Sequence, residues 1–318
     1  MKFNRERVVK MGQQDLYQSD FYEDKSRFVD VFNGILFNGR EIMKPEELEN
    51  ADSVMVSFQG QNAGKKVICD KIRKWKGKYV SIMVLENQSY VDYRMVLRVM
   101  ESEVIGYDMQ RKEAYSLQRK SKRKFDKHEY LSRMKKGQKF IPIITLVIYV
   151  GRDKLWDGEK SLYGMLEMDE DIKSFVNDFK LNLFDYHDYE SFDMFKTENR
   201  FLFEMLSCGK NKKKMQSILK NNVAYRELDK ITVKTILGMI KVKVDLTKIM
   251  RIDEKGREVY DMCKAFDDYK QEGRKEGEIQ TLKTVIENLI KNQKITFEVA
   301  AEMAGVSKRK QKQLRSLI

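Results

Sequence analysis

The chain has 318 residues, enough for about two domains at ~150 residues each, and its 62 Lys and Arg against 49 Asp and Glu leave a net charge of +13. Such a balance favours a polyanionic partner, nucleic acid or an anionic membrane surface, although a merely solvated basic surface has the same composition. Cys69, Cys208 and Cys263 are far apart with no C-x-x-C pair, which excludes a zinc ribbon or disulfide scaffold and fits a reducing cytoplasm.

Residues 20–38 read as a helix, because Phe21, Phe28, Val31, Phe32 and Ile35 recur at helical spacing and Gly39 follows as a stop. Short strands are expected at Ser53–Phe58 and Lys66–Asp70, with Gly60 and Gly64 as turn signals. Gly60–Lys65 lacks the Gly-Lys-Ser/Thr ending of a phosphate loop and reads as a hairpin turn. The charged stretch Lys71–Gly77 then separates Asp70 from the continuous apolar run Val80–Leu85, a strand buried on both faces. A helix is expected from Val91 to about Gln110, with Met95, Val96, Val99, Met100 and Ile105 on its apolar face. Arg119–Lys139 is densely basic and leads into a second apolar strand, Ile143–Val150, closed by Gly151. From about Asp171 the chain reads mostly helical, with the charged Glu272–Gly277 segment as an exposed helix or a hinge. Ile295–Ser307 and Lys308–Arg315 have the form of a small basic helix-turn-helix: Thr296 and Ser307 are potential caps and Gly305 a turn. That tail suits either a nucleic-acid groove or self-association into a homo-oligomer. The N-terminus has no signal-peptide apolar stretch, and Ile141–Val150 is far short of the ~18 residues a bilayer needs, so a soluble cytoplasmic protein with no membrane partner is expected.

The order helix, three strands, helix, strand defines an α/β fold with a mixed sheet. Its chemistry concentrates at two strand ends. Asp70 closes one strand, and Glu86 and Gln88 close the next in the spacing Asp-x15-Glu-x-Gln. Two carboxylates on neighbouring strands can hold Mg²⁺, which takes oxygen ligands and keeps several waters for substrate. Gln88 can orient a water through its amide, donating and accepting, where a lysine would supply charge. Acids at strand ends are common, and Glu-x-Gln is a weak motif by itself. Arg94 and Arg98 share a helix face just beyond it, where a guanidinium could bind phosphate or simply meet Asp92 or Glu101. The run Arg119–Phe125, with Lys122, Arg123 and Lys124 at its centre, is a candidate DNA backbone contact, placed near the cleft by its position between the site helix and the next strand; a solvated loop is the alternative. His128 and His187 have no second histidine at ligand spacing, and Asp185–Asp188 reads as a surface turn.

These segments together resemble a known family. Phe28–Phe37, Asp70 with Lys71–Trp75, Leu85–Ser89, Met95–Met100, Pro142–Gly151, and Trp156 with Ser161–Tyr163 are similar in order and spacing to the bacterial recombination-promoting nuclease and transposase family of the PD-(D/E)XK superfamily. The resemblance covers roughly residues 20–290 and rests on no single specific motif. It implies a restriction-endonuclease-like core, a mixed central sheet flanked by helices, and a metal-dependent DNA endonuclease that promotes recombination or transposition. It further implies Asp70 and Glu86 as ligands of Mg²⁺ (or Mn²⁺), Gln88 in place of the superfamily's lysine, and an additional acid at Asp30, which a solvated helix residue would equally explain. A non-catalytic nucleic-acid-binding or assembly protein on the same fold is the rival. The expected organisation is a nuclease-like core at 1–170, a helical region at 171–290 completing or extending it, and the basic tail at 291–318.

Overall fold

The computed structural model describes residues 13–50, 71–76, 80–121, 124–152, 154–209 and 211–315. They form an α/β protein in which two compact units are distinguished, one of residues 1–215 with 231–241, the other of 216–230 with 242–318. Residues 171–215 thus complete the first unit, while the tail at 291–318 shares its unit with 242–290. No helix among the described residues is long and apolar enough to cross a membrane.

The single helix expected at 20–38 is two, α1 (Gln13–Phe21) and α2 (Lys25–Leu36). Asp24 divides them: its carboxylate accepts from the Ser26 and Arg27 amides, capping two of the donors a helix start leaves unpaired. β1 (Leu48–Asn50), β2 (Lys71–Lys76) and β3 (Val80–Gln88) follow. The strands expected at 53–58 and 66–70 lie outside the described residues. The charged stretch 71–76 is itself a strand, correcting the expectation that it merely intervenes. Its charges are absorbed by other elements: Lys71 and Arg73 pair with Glu23, Lys76 with Glu49 at 2.5 Å, and the Trp75 indole donates to Glu47 at 2.7 Å. A sequence scan for apolar alternation cannot see a strand whose cations are neutralised from elsewhere.

α3 (Met95–Lys120) runs ten residues beyond its expected end, to be followed by α4 (Lys127–Ser132), β4 (Ile143–Tyr149), α5 (Glu170–Lys173) and β5 (Asn182–Asp185). The sheet order is β1-β2-β3-β4-β5; the first two pairings are antiparallel and the last two parallel. α3 lies along β4 in the reverse direction, and its successive turns mark the path. Met95 and Val99 pack with Val147, Tyr149 and Trp156. The Thr145 hydroxyl donates to Glu103 at 2.8 Å, the Ile143 amide to the Tyr107 hydroxyl at 3.1 Å, and Gln110 brackets the Ile141 backbone. Another aromatic group, Phe184, Phe195 and Phe203, joins β5 to α6 (Asn199–Ser207). α7 (Lys212–Asn221) and α8 (Lys230–Met239) come next.

In the second unit α9 (Leu246–Ile249) precedes a hairpin, β6 (Met250–Ile252) with β7 (Glu258–Tyr260), that the mostly helical expectation missed. α10 (Met262–Gln293) passes through residues 272–277 without a break, so that segment is helix and not hinge. α11 (Phe297–Met303) and α12 (Lys308–Arg315) are joined through Gly305, whose φ of +68° is one a Cβ disfavours. Thr296 occupies the cap position but its side chain makes no cap bond.

Candidate functional site at the strand ends

Parallel strands β3, β4 and β5 finish in register, so that Gln88, Tyr149 and Asp185 form one row across the sheet. In open α/β sheets such carboxyl-terminal edges are where ligands bind. Gln88 is buried, and its carbonyl accepts from the Val150 amide at 2.7 Å. Glu86, two residues earlier, pairs through its backbone with Val147; its side chain, like all of Asp70, Lys122 and Arg123, lies outside the description. Lys124 is exposed at the other end of α3.

Residues just beyond the row are tightly built. Tyr149 packs edge-on against Trp156 and gives its hydroxyl proton to the Lys154 carbonyl at 2.7 Å, which folds the loop after β4 back over the strand end. Gly151 is required there, because a Cβ would collide with the Tyr149 phenol. Asp185, 3 % exposed, accepts from the Trp156 amide at 2.9 Å and the His187 amide at 3.0 Å, and its Oδ1 lies 2.6 Å from His187 Nδ1. This corrects the reading of 185–188 as a surface turn. The sequence signal was present, an acid two residues before a histidine at the end of an apolar segment, but β5 is too short to recognise.

Arg98 Nη1 lies 3.1 Å from Asp92, which also takes the Arg94 amide at 3.0 Å and the Arg94 Nε at 3.3 Å. Burial opposes charge on Asp92, but the Arg94 amide and the two guanidiniums outweigh it and hold the carboxyl below the usual range. The structure therefore brings Gln88 and the Arg98–Asp92 pair to one end of the sheet. It separates them from the basic segment, contrary to the expectation that 119–139 borders the cleft. From Met95 to Tyr115 α3 rises ~30 Å, away from the ends of β3 and β4.

Asp30 is neither solvated nor part of this row. It is buried and accepts from the Lys196 and Thr197 amides at 2.7 and 3.1 Å, the Thr197 hydroxyl at 2.6 Å and Asn199 at 3.1 Å, tying α2 to the turn before α6. Among the described residues no three His, Cys, Asp or Glu side chains gather as a metal site. Comparison with family models, with curated proteins and with solved structures gives no match for this chain.

Proposed function

We propose that the protein is a metal-dependent DNA endonuclease with a restriction-endonuclease-like core, acting in recombination or transposition. The observation that carries the reading is the β2–β3 register. Lys71 lies opposite Leu85, so one further antiparallel step would set Asp70 across from Glu86. Side chains directly opposite on antiparallel strands share a face at Cβ separations of ~5 Å. Two carboxylates so placed are an all-oxygen donor set of the kind that suits Mg²⁺ or Mn²⁺, and Asp70 and Glu86 are the residues that would hold the ion. When bound, it would supply an acidified water and neutralise charge on the scissile phosphate. Positions 86 and 88 alternate to the same face of β3, so Gln88 would serve to orient the water by accepting one hydrogen bond and donating another. Arg98, a third exposed beside Asp92, is the guanidinium that would serve a flanking phosphate.

The test is plasmid cleavage by the purified full chain with Mg²⁺ or Mn²⁺ and with a chelator. Wild type should nick or linearise DNA only with metal, and Asp70→Asn and Glu86→Gln should each abolish cutting while DNA binding persists. Equal cutting by wild type and both variants would assign the activity to a contaminant. Metal-independent binding with no cutting in any protein would leave the non-catalytic nucleic-acid-binding reading in its place.

A further inference from the structure

At the far end of α3 a cleft of about 460 Å³ is lined by Tyr115, Arg119, Phe125, Tyr130, Leu131 and Arg133. A second cleft of about 380 Å³ adjoins it, shares Tyr115 and Arg119, and adds Lys120. Tyr130 is exposed, while Tyr115 and Phe125 are half-buried and line the cleft. Tyr115 and Phe125 stand 5.3 Å apart at 43°, and Tyr130 and Leu131 are 64 % and 68 % exposed beside them. Together they make a small apolar patch rimmed by charge, the kind of surface that marks an interaction site when contiguous.

The surrounding charge is one-sided. Residues 119–139 hold ten Lys and Arg against Asp126 and Glu129. Both acids are occupied: Asp126 caps α4 by accepting from the Glu129 amide at 2.8 Å, and Glu129, buried, accepts from the Lys136 amide at 3.1 Å. Arg119 and Arg133 form no ion pair with any described residue. Arg133 also stands at the end of α4 with φ +52°, where glycine or asparagine is the favoured residue.

Rings interleaved with unpaired guanidiniums recognise a flat, anionic polymer whose faces are free. From these features we infer that the cleft is a binding site for single-stranded DNA, stacking unpaired bases on Phe125 and Tyr130 and holding the flanking phosphates with Arg119, Arg133 and Lys120. In a duplex the base faces are covered by their neighbours, so only a strand end, a bubble or an extruded nucleotide can enter. The two adjoining clefts fit a strand that continues past one base. The proposal rests on the nuclease reading only in taking DNA as the partner, and it makes that partner a substrate with unpaired character.

Binding is measured on the full chain in chelator, so that cleavage plays no part and failure here is distinct from failure of the strand-end site. The probe is an oligonucleotide of about ten nucleotides, within the usual ~4–16 for one such surface, carrying 2-aminopurine, compared with its duplex and with RNA of the same sequence. Wild type should bind the single strand more tightly than the duplex and quench the 2-aminopurine. Phe125→Ala and Tyr130→Ala should each weaken single-strand binding about tenfold, in the range for loss of one stacked base, and leave duplex binding nearly unchanged. Tyr130 is exposed, so its variant keeps the test valid should Phe125→Ala unfold. Arg133→Gly removes the charge while suiting the backbone, and should weaken both forms. Equal or better binding of duplex by wild type, unchanged single-strand affinity in the ring variants, displacement by polyglutamate as efficient as by the oligonucleotide, or preference for RNA would each overturn the assignment.

Discussion

At the scale of single residues, the groups that locate the strand-end row are mostly committed to neighbours. Asp185, Asp92 and Asp30 all satisfy backbone donors, and only the first two lie near the row. Glu103 is different. It sits on α3 over β4, where burial pushes its carboxyl above the usual value, and the Thr145 hydroxyl only partly offsets that. The consequence for stability has a definite sign. A carboxyl whose pKa is higher in the native than in the unfolded chain binds the extra proton when folded, so stability falls as pH rises from the ordinary value of 4.5 through the raised one. Above that window the full penalty is present; below it, none. Glu103→Gln keeps an oxygen for Thr145 and never ionises. Its melting temperature should exceed that of wild type at neutral pH, and the difference should vanish near the unfolded-state value. A variant less stable by the same amount at both pH values would show that shape, not charge, decides this contact.

Among the elements, α2 shows how a residue that looks wrong locally is right in context. Gly34 sits inside the helix, where glycine costs roughly 0.5–1 kcal/mol against alanine. A Cβ there would come within 2.5 Å of the Phe195 ring, which is itself buried against Phe184 and Phe203. Overpacking a rigid aromatic cluster costs typically ~1–3 kcal/mol, so the clash outweighs the propensity gain. Gly34→Ala should therefore lower stability by about 1 kcal/mol in a denaturant titration, where an exposed site would gain. The same dependence on context governs what could be read from the sequence. β3, β4, α3 and the tail helices carry their own apolar periodicity and were legible. β2 was not, because Glu23, Glu47 and Glu49 supply the partners that make a charged strand acceptable. β5, β6 and β7 are three or four residues long, too short for a period to register. For the site, Gln88 and the Asp92 partner of Arg98 were visible as types and spacings. The Trp156–Asp185 contact needed the fold, since it joins segments whose proximity no local pattern encodes, and the cleft at Phe125 needed the turn that brings α4 back against the end of α3.

For the whole molecule, the division into two units makes a prediction about cooperativity. In the second unit Ile286, Ala300, Ala301, Val306 and Leu314 form a small core of their own, closed by Ile279, Leu282 and Leu289 along α10. α12 spends its apolar side on this core, and two of its cations are paired, Lys310 with Glu278 at 2.6 Å and Arg315 with Glu298 at 2.9 Å. Those contacts give the tail a structural role within its unit and leave fewer charges for phosphate than its composition implied. Leu314 is 1 % exposed, and truncating a buried leucine to alanine costs ~2–5 kcal/mol through lost transfer energy and the cavity left behind. A core this small has little stability in reserve, so Leu314→Ala should open the α10–α12 end as a local unit. Hydrogen exchange should then show protection lost across residues 279–315 and retained in β3 and β4. If the chain binds DNA as proposed, the salt dependence of that binding should change little, because Arg119 and Arg133 at the end of α3 are untouched. If protection of the sheet fell in step with that of the tail, the two units would be one cooperative structure, and the tail would have to be counted with the sheet as a single folding unit.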